Sequence, residues 1–479
     1  MLNLTLIIPL IGTIIIGVFS SVLKGQQTKY IAFFTAIITL AVSVYLAINF
    51  DYSSPDLQYQ TFIEWLPFLG LNYSGAVDGL SLPLIILNCL LVSLAIYRSE
   101  SSGKSINKPT LFYILILILA ICVNGALMAQ NLLLFFIFYE IQLVPLYLLI
   151  SIWGGEKRNY AGTKYLLYTA FSGIFVLTAF LGLAFLTGDN NFDYVTINAS
   201  VLPVAKQTIL LITLIIGFAI KIPLIPLHTW LPDAYAESST PVSMLLGGIV
   251  SKLGTYGLIR FCLGLFPDVW GNVAPSLALI AVISALYSSL VAINQTDMKR
   301  MIAYASVAHI GFVVLATGAG NALSTSGAIC QMFAHGLIMA LLFHLAGILE
   351  DKTKTRDINQ LRGLMNPYRG LPFVGGMMIT AVMASAGIPG MVGFIGEFLS
   401  FQGSFSVFPV YTLLCLIATG LTAVYFVILL NKVFLGRMDN YKGYLEKVNF
   451  QERIPALVLT VLIVFFGVNP SWLTMFNLG

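Results

Sequence analysis

Charge is what this chain lacks. Of 479 residues only 9% are Asp, Glu, Lys or Arg, and four are histidine; a soluble domain carries about 25% charged residues. That scarcity excludes a water-solvated globular surface. The five cysteines (Cys89, Cys122, Cys262, Cys330, Cys415) stand singly, mostly inside apolar runs, with no CxxC pair. Iron–sulfur and zinc ligation by this chain are therefore not expected, and small apolar core residues are. No GxGxxG lies on a strand–helix unit, so no dinucleotide cofactor is expected on the chain. No basic patch lies beside exposed aromatics, so the net charge of +4 does not point to nucleic acid. The first cation is Lys24, behind the first apolar stretch, an arrangement expected of a retained first span rather than a cleaved signal peptide.

What fills the chain is apolar sequence, 58% of it. Stretches long enough to cross about 30 Å of hydrocarbon predict an all-α polytopic membrane protein with about fourteen spans. They run over 3–22, 30–50, 79–98, 110–128, 131–151, 164–187, 207–229, 240–264, 274–293, 300–318, 326–349, 371–400, 409–434 and 454–475, the fourth and fifth parted near Ala129-Gln130. The charges test that count. The odd connections collect Lys24 and Lys29; Arg98, Lys104 and Lys108; Lys157, Arg158 and Lys164; and Lys299 and Arg300. The later odd ones hold Lys352, Lys354, Arg356, Arg362 and Arg369, then Lys432, Arg437, Lys442, Lys447 and Arg453. Of the 24 cations this leaves only Lys206, Lys221, Lys252 and Arg260. The even connections are acidic: Asp51, Asp56, Glu64 and Asp78, then Asp189 and Asp193, then Asp268. The positive-inside rule then places both termini away from the cytoplasm-like side.

Two spans look interrupted in the same way. The seventh reads Ile220-Lys221-Ile222-Pro223 and the twelfth Ala386-Gly387-Ile388-Pro389-Gly390, followed by Glu397. Proline removes a helix hydrogen bond and frees a carbonyl. A charge at bilayer depth costs roughly 2.5–3.5 kcal/mol even on insertion scales, and so marks ion or proton paths by default. Matching broken helices five apart are the mark of inverted repeats around a midplane ion site. The predicted organisation is 1–109 (helices 1–3), 110–265 (first repeat, helices 4–8), 270–435 (second repeat, helices 9–13) and 436–479 (a loop and the last helix).

Six ionisable side chains sit inside apolar runs, one per helix: Glu140, Lys221, Lys252, His309, His335 and Glu397. Carboxylates, amines and imidazoles in series are what a proton relay requires, with a Glu140–Lys221 ion pair as its first element and Glu397 as its outlet. Each has a structural alternative. Glu140 and Lys221 could be a static pair, Lys252 could snorkel, His309 and His335 could be hydrogen-bonded core residues, and Glu397 could cap a half-helix. His344 reads as structural and Arg260 as an interfacial anchor.

His228-Thr229-Trp230-Leu231-Pro232-Asp233-Ala234, Ser239-Thr240-Pro241-Val242-Ser243 and Lys252-Leu253-Gly254-Thr255-Tyr256-Gly257-Leu258-Ile259-Arg260 resemble the signature of the antiporter-like subunits of respiratory complex I, of its photosynthetic relative and of Mrp-type cation/proton antiporters. Asp297-Met298-Lys299-Arg300 through His309-Ile310-Gly311 resembles a second motif of that family. Glutamate at 397 resembles the M/D type, chain 4 of the complex. The resemblance implies fourteen helices with two inverted five-helix repeats, and a proton path through Glu140, Lys221, Lys252, His309, His335 and Glu397. It further implies a subunit of an NAD(P)H- or ferredoxin-quinone oxidoreductase, with quinone, iron–sulfur clusters and NAD(P)H or ferredoxin bound on other subunits. The expected partners are neighbouring antiporter-like subunits and the lipid bilayer. Tyr235 stands where the family usually has histidine, and the tail ends at Gly479. These features, with Leu246-Gly247-Gly248, are similar to D-subunit variants of cyanobacterial carbon-dioxide-uptake complexes, which would add a carbonic-anhydrase-like partner and a thylakoid location, a bacterial inner membrane being the alternative. An Mrp-type antiporter subunit and a non-pumping structural subunit are the competing readings of the chain.

Overall fold

The computed structural model describes residues 1–100, 106–188, 192–438 and 444–476; Lys104, Asp189, Lys442 and Gly479 lie outside the described residues. Helices α1 (Leu4–Val18) and α2 (Gly25–Ile48) lead into an antiparallel hairpin of β1 (Gln58–Leu66) and β2 (Leu71–Val77), in which Phe62 faces Ser74 and Ile63 faces Tyr73. The hairpin departs from the all-α expectation. Its strands are short, aromatic and β-branched, and its turn closes at Gly70 with φ 65°, a conformation glycine adopts without strain. Phe62, Ile63, Trp65 and Phe68 stay exposed on it, as residues of a membrane–water interface do.

Helices α3 (Ser81–Arg98) and α4 (Pro109–Met128) follow, then α5 (Leu132–Ile141), α6 (Leu143–Trp153) and α7 (Arg158–Thr187). The break between α5 and α6 at Gln142 was not expected. Pro145 cannot donate to the Ile141 carbonyl and its ring crowds it, so the helix parts one turn upstream. The seventh span is α8 (Val204–Lys221) and α9 (Trp230–Glu237), separated at the predicted proline segment. Trp230 Nε1 donates to the Ile220 carbonyl at 2.8 Å and so holds the two pieces together. The eighth span, Thr240–Leu263, is α10 (Thr240–Leu245) and α11 (Lys252–Gly257) joined by the π-helical turn Leu246–Val250 and extended by a second one, Leu258–Leu263. Then come α12 (Pro267–Ile293), α13 (Met298–Ala319) and α14 (Ala322–Thr353), the broken pair α15 (Pro372–Ser385) and α16 (Val392–Phe405), and α17 (Pro409–Val433), α18 (Phe450–Val468) and α19 (Ser471–Thr474).

Twelve helices among the described residues are long and apolar enough to cross a membrane. Every predicted span has a helical counterpart, but two lack a helical stretch of spanning length. The first holds the 15 residues of α1, about 22 Å at the α-helical rise. The twelfth is divided between α15 and α16, so the count of fourteen is not reached by helix length alone.

The connections sort onto two faces, as alternating spans require. On one, Arg98 pairs with Asp351 at 2.7 Å, the Gly155 N–H donates to the Glu237 carbonyl at 2.7 Å, and Arg356 reaches Glu237 at 3.2 Å. On the other, the Gln130 N–H donates to Ser74, Asn131 donates to Asp193, and Trp472 donates to Tyr52. We call these the odd and the even face. The core between them is buried apolar side chain, closed most tightly around the Thr240–Leu263 span and α14.

Candidate functional site

The first break ends a helix on a cation. Lys221, only 1% exposed, is the last residue of α8, where helix-end carbonyls favour positive charge. Its ammonium lies 4.9 Å from the Tyr139 ring centre and 5.8 Å from that of Tyr165, and aromatic faces stabilise a desolvated cation by about 2 kcal/mol. Tyr139 is itself fixed. Its hydroxyl lies 3.0 Å from Ser172 Oγ, which donates to the Gly217 carbonyl at 2.7 Å and so laces α5, α7 and α8 together. Glu140, the next residue, is half-buried, and its carboxylate rests on Gly173 of α7, where a Cβ would come within 2.8 Å of Oε2. No direct ion pair joins Glu140 to Lys221. The expected contact pair is not formed, but Glu140 and Lys221 remain near enough for each charge to act on the other through space, with Tyr139 packed against the amine.

Lys252 does not snorkel. It is 2% exposed in the middle of its span, and its ammonium donates to the Gly247 carbonyl of the π-turn. A π-turn widens the helix and shifts its carbonyls out of the α-helical ladder. Glycines bring the neighbours close. A Cβ at Gly254 would lie 3.1 Å from the Ile222 nitrogen of the first break, and one at Gly336 would lie 2.6 Å from the Gly248 carbonyl. Lys252 is thereby carried between the Lys221 break and the helix that bears His335.

The second break gathers the remaining three residues. His309 Nδ1 lies 3.2 Å from Glu397 Oε1, and its Nε2 lies 3.2 Å from Ser385 Oγ at the end of α15. The glutamate contact has ion-pair distance without hydrogen-bond alignment, since Oε1 has no hydrogen-bond donor. The His335 ring is centred 6.0 Å from that of His309, and neither of its nitrogens has a partner. Gly387, at φ +66°, leaves room for the Glu397 carboxylate: a Cβ there would stand 2.7 Å from Oε2. His309, His335, Gln331, Ser385 and Glu397 line one crevice that has no room for a water molecule. An unpartnered imidazole beside a second imidazole and a carboxylate can accept, hold and pass a proton when helix movement opens that crevice.

Sequence reasoning missed Tyr139, Tyr165, Gln331 and Ser385. Only the adjacency of Tyr139 to Glu140 and of Ser385 to the glycine–proline break could have signalled them. Arg260 is not an interfacial anchor but a buried partner of Asp78 at 2.6 Å; the acid lies 182 residues away, beyond the reach of any local pattern. His344 is structural as expected, with Nε2 2.9 Å from the Glu452 carbonyl.

On the odd face a cavity of about 460 Å³ is lined by Glu237, Ser239, Lys299, Glu350 and Arg356 among others. Lys299 pairs with Glu350 at 2.7 Å, and Arg356 Nε lies 3.2 Å from Asp297. Burial works against the charge on Arg356, but Asp297, Glu350 and Glu237 outweigh it and hold the guanidinium above its ordinary range. Among the described residues no group of three or more His, Cys, Asp or Glu side chains is arranged to hold a metal ion.

Broken helices with ionisable residues at each break, joined by buried amine and imidazole groups, define a polytopic membrane protein of the ion-translocating class. Residues 129–422 match the family described as NADH:quinone oxidoreductase/Mrp antiporter, transmembrane region, and the chain belongs to that family. It is 38% identical to NAD(P)H-quinone oxidoreductase chain 4 of Thermosynechococcus vestitus over 98% of this chain and 89% of the relative. It is 39% identical to the chain 4 of Microcystis aeruginosa, over 91% and 79%. A subunit of respiratory complex I from Thermus thermophilus superposes with a TM-score of 0.88 at 25% identity, over 100% of both chains. A chain of the Mrp complex from Dietzia sp. gives 0.89 at 19% identity, over 99% and 95%, a likeness of fold alone.

Proposed function

We propose that this chain is a proton-translocating membrane subunit, of the chain 4 type, of an NAD(P)H- or ferredoxin-quinone oxidoreductase, with 110–265 and 270–435 as inverted units. The observation that carries the reading is the His335–His309–Glu397 cluster closed onto the second break. It is a set of proton carriers gathered in one crevice, with the carboxylate accommodated beside Gly387.

In this reading the odd-face cavity supplies protons. A change at half-buried Glu140, on the side open to a neighbouring subunit, alters the field at Lys221. Lys221 has rings in contact and its carboxylate acting only from a distance, so that when this field weakens its proton moves on to Lys252. His335 and His309 carry it to Glu397, which releases it at the even face. Moving one charge against 100 mV takes about 2.3 kcal/mol, and this chain holds no source for it. The energy comes from quinone reduction, with quinone, iron–sulfur clusters and the electron donor on other subunits. The Mrp-type alternative shares the fold; co-purification with iron–sulfur subunits separates the two. Tyr235, whose hydroxyl donates to the Leu246 carbonyl of the π-turn at 2.8 Å, supports the finer assignment to a carbon-dioxide-uptake complex in a thylakoid membrane. A carbonic-anhydrase-like subunit in the purified complex tests that assignment.

Glu397→Gln keeps shape and removes the titrating group. Donor-driven acidification of vesicles should fall by this subunit's whole share, with the complex still assembled. Full pumping by the variant defeats the reading.

A further inference from the structure

The even-face end of the Thr240–Leu263 helix carries a charged assembly for which the relay has no use. Arg260 Nη2 lies 2.6 Å from Asp78 Oδ2, and the two side chains are 9% and 12% exposed. The guanidinium is sandwiched 5.4 Å from the Tyr194 ring centre and 5.5 Å from that of Tyr256. Its Nε donates to the Tyr256 hydroxyl at 3.3 Å, and that hydroxyl donates to the Leu127 carbonyl at 3.1 Å. The second oxygen of Asp78 accepts the N–H groups of Leu80 and Ser81 at the start of α3. Burial pushes the Asp78 carboxyl up, but the guanidinium outweighs it and leaves it below the usual carboxylate range. Asp78 and Arg260 line a cavity of about 420 Å³ on the even face, together with Gly264, Gly320 and Thr325, ample room for water.

Lys252 lies on the same helix eight residues deeper, about 12 Å at helical rise. Lys252, Tyr256 and Arg260, four residues apart, follow one stripe of it. A vestibule with room for water thus lies at the even-face end of the helix that carries the central lysine of the relay, and from that end Arg260, which lines it, comes before Lys252 along that helix.

We propose that Arg260, held in place by Asp78, is an electrostatic barrier that stops protons passing between Lys252 and the even face through this vestibule, leaving Glu397 as the outlet. The proposal rests on the proton-translocation reading. Lysine can give up its proton and so can relay one; the guanidinium cannot. A fixed positive charge at a constriction excludes cations and protons, and it acts more strongly where aromatic rings keep the dielectric low. Asp78 orients the cation and has no oxygen left over to serve as a carrier. Tyr256 fills the rest of the gap with its hydroxyl already committed to Leu127.

The test is passive proton flux through the purified complex in vesicles, without donor, under an imposed potassium diffusion potential and read by an internal pH dye. Arg260→Gln removes the charge and should raise the leak about tenfold or more. Asp78→Asn breaks the same ion pair but keeps the cation, and should leave the leak at the wild-type level. Equal leaks from the two variants, or no leak from either, would overturn the barrier. Should the glutamine variant fail to assemble, Arg260→Met with Asp78→Asn removes both charges and orphans neither; the same leak is expected, and its absence overturns the proposal. Donor-driven pumping by wild-type vesicles reports separately on the underlying reading, which its absence would defeat.

Discussion

The two helix breaks are built alike and furnished differently. At the first, a cation ends the half-helix, faces two tyrosine rings, and has its carboxylate acting through space but not in contact. At the second, the carboxylate follows the break and lies 3.2 Å from an imidazole, which also has a serine hydroxyl within reach. In the proposed function, one end therefore responds to a field and the other to contact. A ring-held ammonium is sensitive to any charge that shifts nearby, since no carboxylate touches it. A carboxylate touching an imidazole exchanges its proton over a short path and suits an outlet.

This contrast breaks most completely if the cation is removed. Lys221→Ala should abolish this subunit's pumping, so that donor-driven acidification falls by the subunit's whole share, because an apolar side chain at that depth has no protonation to change. Next in size is Gly173→Val. Its side chain would drive the Glu140 carboxylate off α7 and should cut pumping several-fold while Lys221 stays in place; unaltered pumping would show that the position of Glu140 is immaterial. Gly387→Ala combines an unfavourable φ, roughly 1–2 kcal/mol for a residue with a Cβ, with a push on Glu397. It should lower both the thermal stability of the purified complex and the pumping rate. Smallest is the pair Tyr139→Leu and Tyr139→Phe. Leucine removes the ring under the ammonium and should reduce pumping a few-fold, about what a desolvated cation–π contact allows. Phenylalanine keeps the ring, loses only the contact to Ser172, and should stay within about twofold of wild type. Equal effects of the two would mean that the hydroxyl, not the ring, matters.

Much of this is legible in the sequence. Pro223 and the Gly387-Ile388-Pro389 segment announce both breaks, since proline cannot donate and glycine takes the positive φ. The alternation of basic and acidic connections announces two faces. The six ionisable residues stand out because each lies in a run where charge is costly. What stayed hidden depends on contacts between distant segments. Arg260 looks like an anchor at a span end until Asp78, from another part of the chain, is brought against it. Glu140 and Lys221 look like a contact pair, and the sequence does not show that the Tyr139 and Tyr165 rings take the contact position instead. The π-turns around Lys252 leave no mark beyond glycines, which serve close helix packing equally well, and the break at Gln142 hides behind a proline three residues later. The hairpin was passed over because a short amphipathic pair of strands is faint beside apolar stretches of twenty residues.

The most direct test of proton carriage by buried side chains is the ratio of protons moved to electrons transferred in vesicles bearing the complex, compared for wild type, Lys252→Arg and Lys252→Met. Arginine keeps the positive charge but cannot release its proton, and methionine has none. The ratio should fall by this subunit's share in both variants while quinone reduction continues. A wild-type ratio with arginine at that position would contradict the account, because the charge alone would then suffice and no proton need leave the residue.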